Sequence, residues 1–245
     1  MALPTSTPVS APLAEVGAAH SAAPPPDPER PGLTRQRILV AALEVVDAEG
    51  LEALSMRRLG AHLGVEAMSL YHHFPSKSAL LDGLVALLLG AVPLPDPGEA
   101  PWEQALIRGF SDFRRVMLAH PNAFPLVCSR PVGDAEALAP IALAFAVLAA
   151  AGFDPSETRT VWCALLSYAL GYIECEVTGV GMAVRKGAMV DLIRSQEGPA
   201  FEALRAAWSG DALEEWRDDV EYVRGLSALL AGFGLRLVES DRPQR

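Results

Sequence analysis

From residue 33 onwards, apolar residues recur at intervals of three and four, the spacing that lines one face of an α-helix. Segments that alternate apolar and polar residues, as half-buried strands do, are almost absent from the sequence. Hydrophobic residues make up 51% of the 245 residues, so the chain can bury a substantial core. The sequence therefore predicts an all-α protein.

Two proline-rich stretches divide the chain. Residues 1–32 hold eight of the 20 prolines among many alanines and serines, and such a segment cannot bury enough apolar surface to offset the entropy lost on ordering. We predict a disordered arm there. Four more prolines lie in VPLPDPGEAP, residues 92–101, and break the helical pattern. This second stretch predicts a boundary between a first folded domain, residues 33–90, and a second, residues 91–240.

Charge and cysteine content limit the possible partners and surroundings. The 20 Lys and Arg against 30 Asp and Glu give a net charge of −10, so contact with nucleic acid has to come from a local patch. Cys128, Cys163 and Cys175 are an odd number without a C-x-x-C pair, which indicates neither a disulfide framework nor a zinc site and favours a reducing cytoplasm. The apolar run 137–153 is interrupted by Pro140 and too short to span a bilayer, so we expect a buried helix and no membrane contact.

Four helices are predicted in the first domain. The first covers residues 34–49, and Ser55 caps a short second helix. Gly64 makes a turn to a third helix, residues 67–74, and Ser76 caps a fourth that runs to residue 89. This arrangement predicts a compact three-helix unit with a helix-turn-helix, followed by a connecting helix.

The second domain is also predicted to be helical. Helical spacing continues at residues 102–119, 134–151, 154–178, 199–208 and 211–238. The third of these helices has the clearest start, with Asp154 as a cap and Glu157 at the third helical position. The third and fifth have apolar faces wider than one packing contact needs, which fits a four-helix dimer interface to which each subunit donates two helices. Alternatively, both helices are simply central in a monomeric bundle.

The stretch LTRQRILVAALEVVDAEGLEALSMRRLGAHLGVEAMSLYHHFPSKSALLDGL, residues 33–84, resembles the N-terminal domain of the tetracycline-repressor (TetR) family. The segments FRRVMLAHPNAFPLVCSRP and AGFDPSETRTVWCALLSYALGYIECE are similar to the C-terminal domain of the tetracycline repressor itself. The resemblance implies an all-helical homodimer with an N-terminal DNA-binding domain and a C-terminal domain for ligand binding and dimerisation. It implies a ligand-controlled transcriptional repressor.

The resemblance and the physics of groove binding together indicate a DNA-binding surface. A recognition helix presents its N-terminal residues to base edges, while flanking groups bind phosphates. We expect His73 to pack beside Phe74, and Arg58 or Lys77 could instead be solubilising charges. The predicted surface consists of Arg57 for guanine, Ala67 and Met68 for thymine methyl groups, His72 for a base or the backbone, and Ser69, Tyr71 and Lys77 for phosphates.

An effector pocket is predicted between helices of the second domain, lined by aromatic and aliphatic groups with a few polar ones. The candidates are Phe110, Phe113, Met117, Phe124, Trp162 and Tyr168, with Arg130 as a polar anchor, and core packing is the alternative for each. Arg130-Pro131 matches a pair that lines the drug site of the tetracycline repressor. The histidines that bind drug and metal there are absent, since residues 126–128 read LVC and residues 92–93 read VP. We therefore expect no tetracycline-magnesium effector, no metal site and no cofactor.

The predicted function is a ligand-responsive transcriptional repressor. A homodimer would bind a pseudo-palindromic operator in double-stranded DNA and be released by an unidentified small molecule. Motifs typical of enzymes, such as G-x-S-x-G, a P-loop or H-E-x-x-H, are absent from the sequence, so we do not expect catalysis. A helical protein-interaction adaptor and a transcriptional activator remain the alternatives.

Overall fold

The computed structural model describes residues 32–93, 98, 100–133, 135–179, 188–208 and 217–240. Regular structure within these ranges is entirely helical, which confirms the predicted fold class. Most of the predicted N-terminal arm, residues 1–31, lies outside the described residues, as does the start of the predicted last helix, residues 211–216.

The first four helices are α1 (Arg35–Glu49), α2 (Met56–Leu63), α3 (Ala67–Tyr71) and α4 (Lys77–Gly90), with a single 3-10 turn at Leu51–Ala53. Three of them begin at a hydroxyl cap, because Thr34, Ser55 and Ser76 each accept a hydrogen bond from a backbone N–H three residues later, at 3.1 Å. The helix predicted at residues 67–74 is shorter than expected: it ends at Tyr71, since residues 72 and 73 form a turn before Pro75.

Helices α1 to α4 enclose a small apolar core. Ile38 of α1, Leu59 of α2, Leu70 of α3 and Leu84 of α4 have no solvent exposure, and Phe74 is buried among them. Burying several such side chains contributes about 1.5–3 kcal/mol each, which offsets the entropy of ordering three short helices.

The second region contains α5 (Trp102–Ala119), α6 (Phe124–Ser129), α7 (Ala135–Ala150), α8 (Pro155–Val177), α9 (Ala188–Ser195), α10 (Glu202–Ala207) and α11 (Asp218–Ser240). The bounds of α5 agree with the prediction. The sequence reading omitted α6 and α9, which have only six and eight residues, too few for a clear periodicity. A 3-10 turn, Pro199–Phe201, replaces the start of the helix that we predicted at residues 199–208.

Helix α8 begins with the predicted cap. The Asp154 carboxylate accepts from the backbone N–H groups of Ser156 at 2.7 Å and Glu157 at 2.9 Å. The Glu157 carboxylate accepts in return from the Asp154 N–H at 3.0 Å, which completes a capping box.

The helices of the second region pack around a shared core that continues into the first. Helix α4 contacts α5, α6 and α7, while α5, α7 and α8 contact one another and α11 packs on α5 and α8. Helix α4 therefore belongs to both regions. Along the described part of the chain, the helices are all too short or too polar to cross a membrane.

Candidate DNA-binding surface and effector cavity

Helices α2 and α3 meet at a very close backbone approach. A Cβ atom placed on Gly60 would lie 2.9 Å from the Val65 carbonyl oxygen and 3.2 Å from the Ala67 nitrogen. The turn between the helices needs Gly64, whose φ of +69° is strained for residues with a side chain. Leu70 of α3 points inward and is fully buried. This geometry makes α2, the turn and α3 a helix-turn-helix, with α3 as the recognition helix.

The outward face of α3 and its following turn is exposed. Met68 and Tyr71 have exposed fractions of 67% and 42%, which are high for such large side chains, and His72 is also exposed. Ser69 is half-buried. Ala67 is half-buried and packs against the core beside Gly60, so it has an inward role that the sequence reading did not foresee. An exposed Met beside an exposed Tyr on a short helix is the apolar and phenolic surface that a major groove can accept.

Ion pairs distinguish the basic residues of this unit. Arg58 binds the Glu49 carboxylate through its Nε at 3.0 Å, and these hydrogen bonds lower the pKa of Glu49. The His62 Nε2 lies 2.9 Å from Glu44. Both contacts join α2 to α1. Among the described residues, no acidic partner lies within ion-pair distance of Arg57 or Lys77, and both side chains are exposed.

Arg35, at the first position of α1, contacts the C-terminal end of the recognition unit. This unit comprises α2, the turn at Gly64, α3 and the following residues up to Phe74. The guanidinium of Arg35 donates to the His73 carbonyl oxygen at 3.2 Å and lies 4.2 Å from the centroid of the Phe74 ring. Phe74 is fully buried, in agreement with the predicted packing role. Arg35 therefore ties the start of α1 to the end of the recognition unit, a contact that sequence reasoning did not identify.

A cavity of about 150 Å³, partly open to solvent, lies among helices α4 to α8. It is comparable in volume to engineered apolar cavities that bind an aromatic ring. Its lining is apolar, and none of the described residues that line it is charged. The lining residues are Val85, Leu89, Val92, Pro93, Ala105, Leu106, Gly109, Phe110, Phe113, Val127, Val132, Pro140, Ile141, Leu143, Ala144, Val147, Trp162, Leu166 and Leu170.

Trp162 carries the aromatic face of the cavity. Its ring centroid lies 5.6 Å from that of Phe110 and 5.8 Å from that of Phe145. Among the described lining residues, its indole N–H is the one side-chain hydrogen-bond donor, and no described residue accepts from it. A bound molecule would therefore contact aromatic surface.

Three of the seven predicted pocket residues, Phe110, Phe113 and Trp162, line the cavity. Met117 and Phe124 do not line it, because both are fully buried in the core that joins the two regions. Tyr168 also lies elsewhere. Its hydroxyl donates to the Tyr222 carbonyl oxygen at 3.1 Å, where α8 packs on α11.

Arg130 does not line the cavity either. It lies at the C-terminal end of α6, where its Nε donates to the Asp82 carboxylate at 2.9 Å. A terminal nitrogen of its guanidinium donates to the Ser78 hydroxyl at 2.7 Å. Its charge is thus directed at α4, and Arg130 lies outside the lining of the cavity in which we predicted it as a polar anchor.

A polar cluster lies next to the cavity, between α5, α8 and α11. Arg114 donates to Glu176 at 2.7 Å in a pair whose side chains are only 15% and 12% exposed. The Tyr222 hydroxyl donates to the carbonyl oxygen of Phe110, a lining residue, at 3.0 Å. Burial raises the pKa of Tyr222 and of Tyr172. The cluster fixes α11 against the wall of the cavity.

Most of the cavity lining consists of aliphatic residues that the sequence reading treated as ordinary core. One local feature of the sequence, a proline within α7, could have indicated them. Pro140 interrupts the apolar helix α7 and cannot donate a hydrogen bond to the preceding turn, and both Pro140 and Ile141 line the cavity. The described residues contain no group of three or more His, Cys, Asp or Glu side chains that could hold a metal ion.

A helix-turn-helix with an exposed recognition face, joined through one helix to a domain with an apolar cavity, defines a DNA-binding regulator with an effector site. Residues 38–84 match the family described as "Bacterial regulatory proteins, tetR family", and residues 94–236 match "Tetracyclin repressor-like, C-terminal domain". The chain therefore belongs to the tetR family of bacterial regulatory proteins. It is a transcriptional regulator of the ligand-responsive repressor type, as predicted.

Two curated relatives match the sequence of this chain along most of their length. An "HTH-type transcriptional regulator" of Saccharopolyspora erythraea is 32% identical over 205 residues, which cover 83% of this chain and 85% of the relative. The "Tetracycline repressor protein class A from transposon 1721" of Escherichia coli is 29% identical over 205 residues, covering 81% and 89%. The names of these two relatives describe a transcriptional regulator and a repressor.

Solved structures share the fold. Apo ActR from Streptomyces coelicolor superposes with a TM-score of 0.72 at 25% identity, covering 85% of this chain and 98% of ActR. ActR in complex with actinorhodin has a TM-score of 0.70 at 24% identity, covering 84% and 99%.

Proposed function

We propose that this protein represses transcription as a cytoplasmic homodimer that binds a two-fold-related operator through α3, and that an uncharged aromatic molecule in the apolar cavity releases it. The observation that carries the proposal is the course of α4. Its first turn follows directly on the recognition unit, and its later residues Val85 and Leu89 line the cavity. One rigid helix therefore touches both sites.

The DNA-reading surface combines apolar and charged groups. Exposed Met68 suits a thymine methyl group, and Tyr71 and His72 can donate to phosphates or bases. Arg57 can bind guanine through two hydrogen bonds, Lys77 suits a phosphate, and half-buried Ser69 and Ala67 complete the predicted set. Few of these groups are charged side chains, so they can form few ion pairs with phosphates. We therefore expect the specific affinity to depend on a small number of phosphate contacts per half-site.

Two copies of the chain are needed to read both halves of such an operator, about 34 to 36 Å apart. Small exposed side chains lie along the outer faces of two long helices: Cys163, Ser167 and Gly171 on α8, and Ala228 and Gly232 on α11. Small side chains let helices of two subunits approach closely, which supports a four-helix dimer interface built from α8 and α11.

The cavity favours an uncharged effector. Its lining offers no countercharge, so a charged ligand would lose its hydration without compensation. Trp162 and Phe110 offer aromatic surface, and the indole N–H of Trp162 suits a single carbonyl or ether oxygen. The structure of ActR in complex with actinorhodin supports small-molecule binding in a domain of this fold.

The test is operator binding by fluorescence anisotropy with DNA selected from a random duplex library, on wild type and on Arg57→Ala with Lys77→Ala. We expect the double variant to lose at least about tenfold in affinity with an unchanged melting temperature. Arg194→Ala is the matched control, since its exposed side chain lies on α9, far along the chain from α1 to α3 and the first turn of α4, which we call the head. No selected sequence, or equal binding by the double variant, would refute the DNA surface.

The effector class is tested separately by Nile red, an uncharged aromatic dye whose fluorescence rises in apolar surroundings. We expect saturable binding by wild type and about tenfold weaker binding by Trp162→Ala. Binding of the anionic dye anilinonaphthalene sulfonate with equal affinity at the same site would contradict the preference for an uncharged molecule.

A further inference from the structure

We infer that Arg130 is a positioning residue that transmits occupancy of the cavity to the DNA-binding unit, through its ion pair with Asp82 and its hydrogen bonds to Ser78. This inference rests on the proposed function, because it assumes that ligand in the cavity and DNA on α3 are linked. It assigns the arginine of the Arg130-Pro131 pair to contacts with the protein itself and none with the effector.

Arg130 joins the C-terminal end of α6 to α4 through several contacts. Its Nε donates to one Asp82 carboxylate oxygen at 2.9 Å, and a terminal nitrogen lies at ion-pair distance, 2.7 Å, from the same oxygen. The same terminal nitrogen donates to the Ser78 hydroxyl at 2.7 Å and to the Ser78 carbonyl oxygen at 3.2 Å. Arg130 thus binds backbone and side chain in the first two turns of α4, and its planar fork fixes direction as well as distance.

The two helices that Arg130 joins are also walls of the cavity. On α6, Val127 lies three residues before Arg130 and lines the cavity. On α4, Val85 lies three residues after Asp82 and lines it as well, so each lining residue is one turn from a partner in the contact. A ligand that changes the spacing of α6 and α4 must therefore strain or release the Arg130 contact.

The other end of this contact leads to the recognition helix. Ser78 lies in the first turn of α4, and the Ser76 cap follows the buried Phe74 that ends the recognition unit. A second attachment joins the head to the effector domain, where His120 Nδ1 lies 2.7 Å from Asp47 and the Asn122 amide donates to the Asp47 carbonyl at 2.9 Å. The head is thus held at two places, and of these two the Arg130 contact adjoins the cavity.

Partial solvent exposure indicates that this contact orients helices more than it stabilises the fold. The side chains of Arg130 and Asp82 are 23% and 44% exposed, and pairs exposed to this degree are screened by water. We therefore expect Arg130→Gln to fold with a melting temperature within about 3 °C of wild type. The variant should bind ligand and DNA separately but link them poorly.

The first measurement is the distance between the head and the effector domain, which needs no DNA. Spin labels are placed at Ala61→Cys on α2 and Gln104→Cys on α5, both exposed positions, in a protein whose three native cysteines are changed to serine. Nile red should shift the wild-type distance by about 2 Å. In Arg130→Gln we expect a broader distribution without dye and no further shift with it.

The second measurement is operator affinity with and without saturating Nile red. In wild type the dye should weaken binding at least about tenfold, whereas in Arg130→Gln and Asp82→Asn it should do so less than about threefold. Nile red affinity should stay within threefold in all variants. The double variant should behave like either single variant, and Arg115→Gln, whose ion pair with Asp112 lies within α5, should behave like wild type.

The outcomes separate this inference from the proposed function. A dye-induced distance shift in Arg130→Gln equal to that in wild type, or no shift in wild type, overturns the inference even if operator binding is as proposed. A shift that depends on Arg130, together with no selected operator sequence, upholds the role of Arg130 in coupling the cavity to the position of the head and refutes the DNA-binding proposal. Loss of Nile red binding in Arg130→Gln would restore the role as a ligand anchor and overturn the inference.

Discussion

Replacing Gly60 by alanine tests the contact that makes α2 and α3 a DNA-reading unit. In an ordinary helix interior, glycine to alanine stabilises by about 1 kcal/mol. At Gly60 the new methyl carbon would lie 2.9 Å from a backbone oxygen and 3.2 Å from a backbone nitrogen, neither of which can rotate away. Overpacking of this kind costs about 1–3 kcal/mol, so the balance is a net loss of up to about 2 kcal/mol.

The expected result is a lower melting temperature, by about 2–6 °C, together with weaker operator binding, because relief of the clash moves α3 away from α2. A displaced recognition helix that loses about 1.4 kcal/mol of binding loses tenfold in affinity. Both quantities are measured at one fixed protein concentration, by differential scanning calorimetry and fluorescence anisotropy, since dimerisation makes stability depend on concentration.

The matched control is Gly109→Ala in α5, where no heavy atom of the described residues, apart from the chain neighbours and the nearby backbone of α5 itself, lies within 4 Å of the new methyl group. Measured without ligand, because Gly109 lines the cavity, this variant should be more stable than wild type by about 0.5–1 kcal/mol. If Gly60→Ala were stabilised like the control and bound the operator normally, the close approach of α2 and α3 would not govern DNA binding.

Three further predictions concern the clusters around the two sites. Glu176→Ala leaves the Arg114 guanidinium buried without its partner and should lower the free energy of unfolding by about 3 kcal/mol in denaturant titrations, against less than about 1 kcal/mol for Asp112→Ala in an exposed pair. The raised pKa of Tyr222 means that the folded state holds this proton more tightly than an unfolded chain, whose tyrosine pKa is about 10. Stability should therefore fall as pH rises above about 10, by up to about 1.4 kcal/mol per pH unit from this group, and more gently in Tyr222→Phe. Arg35→Ala should weaken operator binding about tenfold without changing its salt dependence, because Arg35 binds the recognition unit and not a phosphate.

Each of these has a clear contrary outcome. Equal unfolding free energies for the Glu176 and Asp112 variants would show that burial does not make the Arg114 pair critical. Identical alkaline unfolding of wild type and Tyr222→Phe would remove Tyr222 from the pH dependence. A salt dependence reduced by about one phosphate per half-site in Arg35→Ala would mark Arg35 as a direct DNA contact.

Local features of the fold could be predicted because their causes lie within a few residues. The caps at Thr34, Ser55 and Ser76 and the capping box at Asp154 each depend on groups two or three positions apart. Short helices were harder, since α6 has only six residues and shows no clear period.

The two sites differed in how far sequence could reach. Met68, Tyr71 and His72 lie on one short exposed helix and turn, so their order along the chain already indicated a shared surface. The cavity is lined from α4 to α8, and aromatic residue type alone could not separate Trp162, which lines it, from Phe124, which is sealed in the core.

The sequence by itself determined the helical class, the helix-turn-helix and the exposed recognition face, because period, caps and turn glycines act locally. Only the tertiary structure decided which apolar residues leave a cavity, and that Arg130 binds Asp82, 48 residues away along the chain. The physical reason is that a cavity and a long-range ion pair both depend on how separate helices are placed, and that placement results from the packing of the whole core.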